Sequence, residues 1–161
     1  LAHLFLQKEG AYVPCTAESC MEILKYYDIP VRGKKVVVIG RSLVIGKPVA
    51  LMLLKENATV TICHTKTTGE DMAALCKQAD IIIAAAGHRN TLTAEMVAPG
   101  QTVIDVGINF NEEGKMVGDV DFEPVSEIVD AITPVPGGVG SMTTTVLMKH
   151  VIEATERVLK K

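Results

Sequence analysis

Tryptophan is missing from this chain of 161 residues, and only three Tyr and three Phe are present. The core therefore has to be aliphatic, built from Val, Ile, Leu, Ala and Met. A basic excess is missing too: 16 Lys+Arg face 19 Asp+Glu, a formal charge of −3. Such a balance does not neutralise a phosphate backbone and argues against nucleic acid as a partner. Long apolar runs are lacking. Val36 to Ile39 and Ile81 to Ala86 are strand-sized and far short of a membrane span, so no membrane partner is expected. The first residues show none of the charged, apolar and small-residue zones of a signal peptide. Cys15, Cys20, Cys63 and Cys76 form no CxxC pair, and His3, His64, His88 and His150 are dispersed. No metal-ligand spacing results, and no metal site is expected. A reduced, cytoplasmic protein with incidental thiols is the expectation.

What is present supports a folded unit. Hydrophobic residues make up 48% of the chain, enough apolar surface to offset the entropy of folding. The length fits one domain. The chain starts at Leu1 without Met, as if cut from something longer.

Helix and strand signals alternate. Thr16 is a candidate N-cap for a helix from about Ala17 to Tyr27, stopped by Pro30. Lys35 to Gly40 reads as a first strand; its four consecutive β-branched residues suit burial on both faces of a parallel sheet. Gly46-Lys47-Pro48 opens a helix running to about Asn57, with Pro48 in the first turn. Further strands are expected at Thr59 to Cys63, Asp80 to Ala85, Thr102 to Val106 and Ala131 to Thr133. Helices are expected at Glu70 to Gln78, weakly over Asp121 to Val129, and over Thr143 to Leu159. Thr93 to Val97 reads as a helical turn and Asn109 to Val117 as a hairpin around Asn-Glu-Glu-Gly. This alternation predicts a Rossmann-like three-layer α/β/α fold with a mainly parallel sheet.

The chemistry begins at Gly40-Arg41-Ser42-Leu43-Val44-Ile45-Gly46-Lys47-Pro48, between a strand and a helix. Helix N-terminal amides favour anions, and glycines admit a phosphate close to the backbone. A Walker A loop fails twice here: five residues separate the glycines, and Pro48 stands where a metal-binding hydroxyl belongs. A literal GxGxxG fails as well, because Ser42 replaces its second glycine. A GxSxxxG variant fits, with the hydroxyl available to a phosphate or ribose; a ligand-free glycine turn is the alternative. After the second strand come His64, Thr65 and Lys66, with no carboxylate to accept a ribose 2′-OH. Arg41, His64, Thr65 and Lys66 offer donors to a 2′-phosphate, which favours NADP over NAD. Lys66 also reads as a solvated surface charge.

A second loop, Thr133-Pro134-Val135-Pro136-Gly137-Gly138-Val139-Gly140-Ser141-Met142, follows the last short strand. Its prolines restrict the backbone and its glycines allow close approach, as in a loop shaped around a ligand; a structural linker is the alternative. Asp105 to Asn109 ends the fourth strand on the same side, with Asp105 either lining a cleft or serving as a hydrogen-bonded structural carboxylate.

Taken together, Val13-Pro14-Cys15-Thr16, Val38-Ile39-Gly40-Arg41-Ser42 with Gly46-Lys47-Pro48, Val103 to Asn109, Val117 to Asp121 and Ile132 to Met142 resemble one family. It is the C-terminal nucleotide-binding domain of bifunctional methylenetetrahydrofolate dehydrogenase/methenyltetrahydrofolate cyclohydrolases. The resemblance covers nearly the whole chain, and the Ile-Thr-Pro-Val-Pro-Gly-Gly-Val-Gly run is its most specific part. Departures lie at Ala17, Ser19 and Ser141, where the family commonly has Pro, Gly and Pro.

The resemblance implies NADP held by Gly40, Arg41, Ser42, Thr65 and Ile108, with Arg41 near the 2′-phosphate, and the donor reading above adds His64 to this set. It implies a nicotinamide and folate cleft bordered by Pro134, Val135, Pro136, Gly137, Gly138, Val139 and Gly140. Residues 1–34 would form a lead-in segment and helix of the interdomain connection, and residues 35–161 the NADP-binding domain. The implied activity of the complete protein is oxidation of 5,10-methylenetetrahydrofolate, then hydrolysis to 10-formyltetrahydrofolate, in the one-carbon metabolism that feeds purine biosynthesis. An N-terminal catalytic domain carrying the family's Tyr-x-x-x-Lys pair is expected to be absent: Thr16, Pro30 and Val31 follow Tyr12, Tyr26 and Tyr27 by four. No catalytic residue is assigned in this chain. The resemblance also implies a homodimer. A stand-alone nucleotide-binding module, and the cofactor domain of another NADP-dependent dehydrogenase, are the alternatives.

Overall fold

The computed structural model describes residues 12–159. Five parallel strands form one sheet: β1 (Lys35–Ile39), β2 (Thr59–Cys63), β3 (Ile81–Ala84), β4 (Thr102–Asp105) and β7 (Ala131–Ile132), in the order β2-β1-β3-β4-β7. A short antiparallel hairpin, β5 (Asn109–Phe110) with β6 (Met116–Val117), stands apart from it. The helices are α1 (Cys15–Tyr26), α2 (Gly46–Lys55), α3 (Gly69–Lys77), α4 (Phe122–Ser126) and α5 (Val139–Leu159), with a 3₁₀ turn at Ala94–Met96.

The run of β-branched residues in β1 serves both faces. Val36 and Val38 pack with Ala17, Cys20, Ile23 and Leu24 of α1 and Val49 and Leu53 of α2. Val37 and Ile39 point the other way, toward Cys76, Leu92, Val97 and Val125. Alternation along a strand buried on both sides thus creates two aliphatic cores and three layers. Each fully buried Val, Leu or Ile side chain contributes about 1.5–3 kcal/mol relative to exposure.

Two expected boundaries are corrected. Thr16 does not cap α1. Pro14 occupies the N-cap position, and its carbonyl accepts the Glu18 amide at 3.1 Å, so the helix begins at Cys15. The closing helix starts four residues before the expected Thr143, at Val139. Gly140 is tolerated in its first turn, and Val139 is drawn inward because its side chain fills the core beside Ile104 and Val106.

Residues 1–11 of the expected lead-in segment lie outside the described residues. Its helix, α1, packs into the same core as the sheet and against α5. Among the described residues no helix is long and apolar enough to cross a membrane, and no group of three or more His, Cys, Asp or Glu could hold a metal ion.

Candidate functional site

The strand order reverses between β1 and β3. From β1 the chain crosses to β2 through α2 on one face, then returns past β1 to β3 through α3 on the other. Loops leaving β1 and β3 therefore diverge, and the crevice outside their carboxyl ends is where open α/β sheets bind ligands.

Gly40 stands at the mouth of that crevice with φ +125°, and a Cβ there would overlap the Ala85 carbonyl. A Cβ at Gly46 would overlap the carbonyl of Gly40. Both glycines are needed for the strand–loop–helix turn itself. Inside the turn, the Ser42 hydroxyl oxygen accepts the Ile45 amide at 3.0 Å and the Gly46 amide at 3.4 Å, and the Ser42 carbonyl accepts Lys47 N–H at 3.0 Å. Ser42 thereby fixes the start of α2 and keeps its O–H hydrogen for an external acceptor. The amides of Arg41 to Val44 donate to no acceptor among the described residues, and these four residues are exposed. Arg41 forms no ion pair among the described residues.

β2 brings in the neighbouring donors. Ile39 pairs with Cys63, and the Gly40 amide donates to the Cys63 carbonyl at 2.8 Å, so His64 follows directly beside the Gly40 turn. His64 Nδ1 accepts the Lys66 amide at 3.2 Å, which places the ring hydrogen on Nε2. The His64 amide donates to the Thr67 hydroxyl at 3.0 Å, closing the turn and leaving Thr65 and Lys66 exposed. Burial pushes the Cys63 thiol up, with Asp71 adding to the shift, so this cysteine stays a neutral core group.

The floor of the site is a pair of buried carboxylates. Asp105, at the end of β4, accepts amides of Gly107 (2.9 Å), Asp119 (3.0 Å) and Val120 (3.1 Å). Asp119 accepts amides of Ala86 and Gly87 at 2.6 and 2.8 Å and the Asn109 side-chain amide at 2.9 Å. The loop after β3, the end of β4 and the hairpin are thus one hydrogen-bonded unit. Burial raises the Asp105 carboxyl above the ordinary carboxylate range, opposed by its amide donors. Of the two readings open for Asp105, the structural one holds. The sequence reading quoted Asp119 within the Val117 to Asp121 segment but gave it no role, and did not single out the Ala85 to His88 loop. Ile108 stands above this floor, 64% exposed.

The Pro-Gly loop is divided. Pro134, Gly137 and Gly138 border a groove of about 780 Å³ with Ile23, Tyr26 and Met142, along the outer side of β4 and β7. Val135 instead faces a hollow of about 340 Å³ with Asp105, Gly118 and Asp121. Pro136 and Gly140 are exposed, and the Val135–Pro136 peptide bond is cis. Val139 is buried in the core, 3% exposed, because it begins α5 on its inner side.

Residues 14–159 match the family model described as tetrahydrofolate dehydrogenase/cyclohydrolase, NAD(P)-binding domain. The bifunctional protein FolD of Carboxydothermus hydrogenoformans is 54% identical over 155 residues, covering 95% of this chain and 53% of that protein. The crystal structure of the FolD methylenetetrahydrofolate dehydrogenase/cyclohydrolase from Campylobacter jejuni superposes with a TM-score of 0.93 at 47% identity, covering 97% of this chain and 55% of that one. The FolD structure from Trypanosoma brucei, complexed with NADP cofactor and inhibitor, gives 0.92 at 37% identity over 99% of this chain and 56% of that one. The chain spans about half the length of the relatives it matches.

Proposed function

Because the chain belongs to the tetrahydrofolate dehydrogenase/cyclohydrolase NAD(P)-binding domain family, we propose that it is the NADP-binding half of an enzyme that oxidises 5,10-methylenetetrahydrofolate to methenyltetrahydrofolate. In the complete protein, hydrolysis to 10-formyltetrahydrofolate follows. The observation that carries the reading is the Gly40–Gly46 turn at the β1/β3 switch point, where four exposed amides donate to no acceptor among the described residues and Arg41 forms no ion pair among them.

The residues fit the cofactor. The amides of Arg41 to Val44 and the first turn of α2 supply partial positive charge suited to phosphate oxygens. The Ser42 hydroxyl can donate without giving up the bonds that hold the turn. Arg41 and His64, with the Thr65 hydroxyl, give the end of β2 a donor set that suits a 2′-phosphate. Ile108 offers an exposed apolar side chain beyond β4 for the face of a ring. When bound, NADP+ supplies the hydride acceptor. This half contributes cofactor position and orientation, which lowers the entropic part of the barrier. Proton transfers and folate orientation belong to groups outside this chain. Pro134 and Gly137, on the loop after β7, border the folate side.

The same proposal has the complete protein act as a cytoplasmic homodimer. Support for self-association comes from the exposed Phe110 and Met116 of the hairpin. The direct test is a backbone-amide NMR titration with NADP. Shifts centred on Gly40 to Val44, His64, Thr65 and Ile108 are expected; shifts centred on the β7 groove without those residues would reject the assignment.

A further inference from the structure

Away from the nucleotide turn, α1 and α5 bring together a cysteine, a histidine and a glutamate. Cys15 is the first residue of α1, and its Sγ lies 3.7 Å from Nδ1 of His150, 135 positions along the chain. The other ring nitrogen, Nε2, lies 2.6 Å from Oε2 of Glu18, one turn beyond Cys15 on the same helix. With Nε2 donating to the carboxylate, the Nδ1 lone pair is directed at the thiol. This is the relation of nucleophile, base and orienting carboxylate, recognised by geometry rather than by position in sequence.

The surroundings hold the arrangement in place. Lys149 donates to Glu18 at 3.0 Å and to Glu22 at 2.8 Å, so the Glu18 carboxylate is clamped on both oxygens. Those bonds, Glu22 first, keep the Lys149 ammonium charged well beyond the ordinary lysine range. The Tyr12 ring packs on His150 with centroids 5.3 Å apart, and the Arg157 guanidinium lies 4.7 Å over Tyr12. Among the described residues, Glu18 and Glu22 from α1, Lys149 and Arg157 from α5, and Tyr12 are charged and titratable groups placed around the pair.

The remaining cysteines provide the contrast. Cys20, Cys63 and Cys76 are buried, and burial pushes the thiols of Cys20 and Cys76 up to about 12. Cys15 alone among the four is partly exposed.

We propose that Cys15, His150 and Glu18 form a base-assisted thiol site that undergoes exchange with low-molecular-weight disulfides. His150 Nδ1 takes the Cys15 proton, and the sulfur attacks one sulfur of the disulfide. A new Sγ–S bond forms as the S–S bond breaks, and the departing thiolate takes the proton back from His150. The products are a mixed disulfide on Cys15 and one free thiol, with no net change in electrons. The modified side chain then sits between α1 and α5.

The probe is an aromatic disulfide that releases a coloured thiolate, applied to the native protein, with peptide mass mapping of the product. Cys15 is expected to be modified first, and Cys15→Ser to abolish the fast phase. His150→Asn should slow the reaction about ten-fold at neutral pH, with the deficit closing in alkali, where the thiol ionises unaided. Glu18→Gln should slow it less. Equal rates for wild type and His150→Asn across the pH range would overturn the proposal. A further measurement guards against a misfolded variant: the native protein should react faster than a peptide spanning Val13 to Ser19. A native rate no faster than the peptide's would overturn the proposal too.

Discussion

The Asp105 carboxylate accepts the amide of Asp119 at 3.0 Å, while the Asp119 carboxylate turns away to take the amides of Ala86 and Gly87. Two buried acids therefore stand back to back, each held by backbone N–H donors. The relay ties the loop after β3, one wall of the crevice, to the end of β4 beside it. These hydrogen bonds fix the position of the β3 loop.

Asp119→Asn should therefore damage the crevice more than a surface change would. Its amide nitrogen cannot accept, so one side of the three-donor set is left facing a donor. A loss of about 1–3 kcal/mol is expected. Urea unfolding should show a lower midpoint at unchanged slope. A midpoint equal to wild type would remove Asp119 from this role.

Asp105 gives a pH signature. Burial raises its carboxyl in the folded state, so the folded chain binds this proton more tightly than the unfolded chain. Its contribution to stability is complete below the ordinary carboxylate range and is lost as pH rises through the raised folded value. Relative to Asp105→Asn, wild type should lose stability as pH climbs through that interval. Thermal midpoints for both proteins, taken across the acidic range, check this; a difference independent of pH would contradict it.

Gly118 exists for the same relay. A Cβ on it would overlap the Asp105 carboxylate, and a Cβ on Gly107 would overlap Asp119. Gly118→Ala should cost at least about 2 kcal/mol, since the obstacle is a hydrogen-bonded buried group rather than a flexible side-chain end. Gly114→Ala is the control of a different kind: space is open there, and only its φ of +73° opposes a side chain. Chemical denaturation of the two variants should rank Gly118→Ala as the more damaging.

The sheet was legible because its strands are short apolar runs bounded by turn residues; β2 begins and ends at Thr59 and Cys63 as expected. The turn between β1 and α2 was legible because all its parts are contiguous, Gly40 through Pro48. The start of α5 at Val139 was missed because a Gly-Val-Gly run looks like loop until the core behind it is seen. The Asp119 contacts join residues 32 and 33 positions apart, and Cys15 meets His150 across 135. No local pattern carries such pairings; they follow from which loops the β1/β3 reversal places together and from the packing of α1 on α5.

The most direct test of the cofactor reading is calorimetric titration of wild type and Arg41→Ala with NADP and with NAD. Arg41 is exposed, forms no ion pair among the described residues and follows Gly40, whose amide bonds the end of β2, so its loss should fall on the 2′-phosphate alone. A charge-assisted hydrogen bond of about 1.5–3 kcal/mol corresponds to roughly ten-fold to hundred-fold weaker NADP binding, with NAD affinity little changed. Equal losses for both cofactors, or none for NADP, would contradict the account.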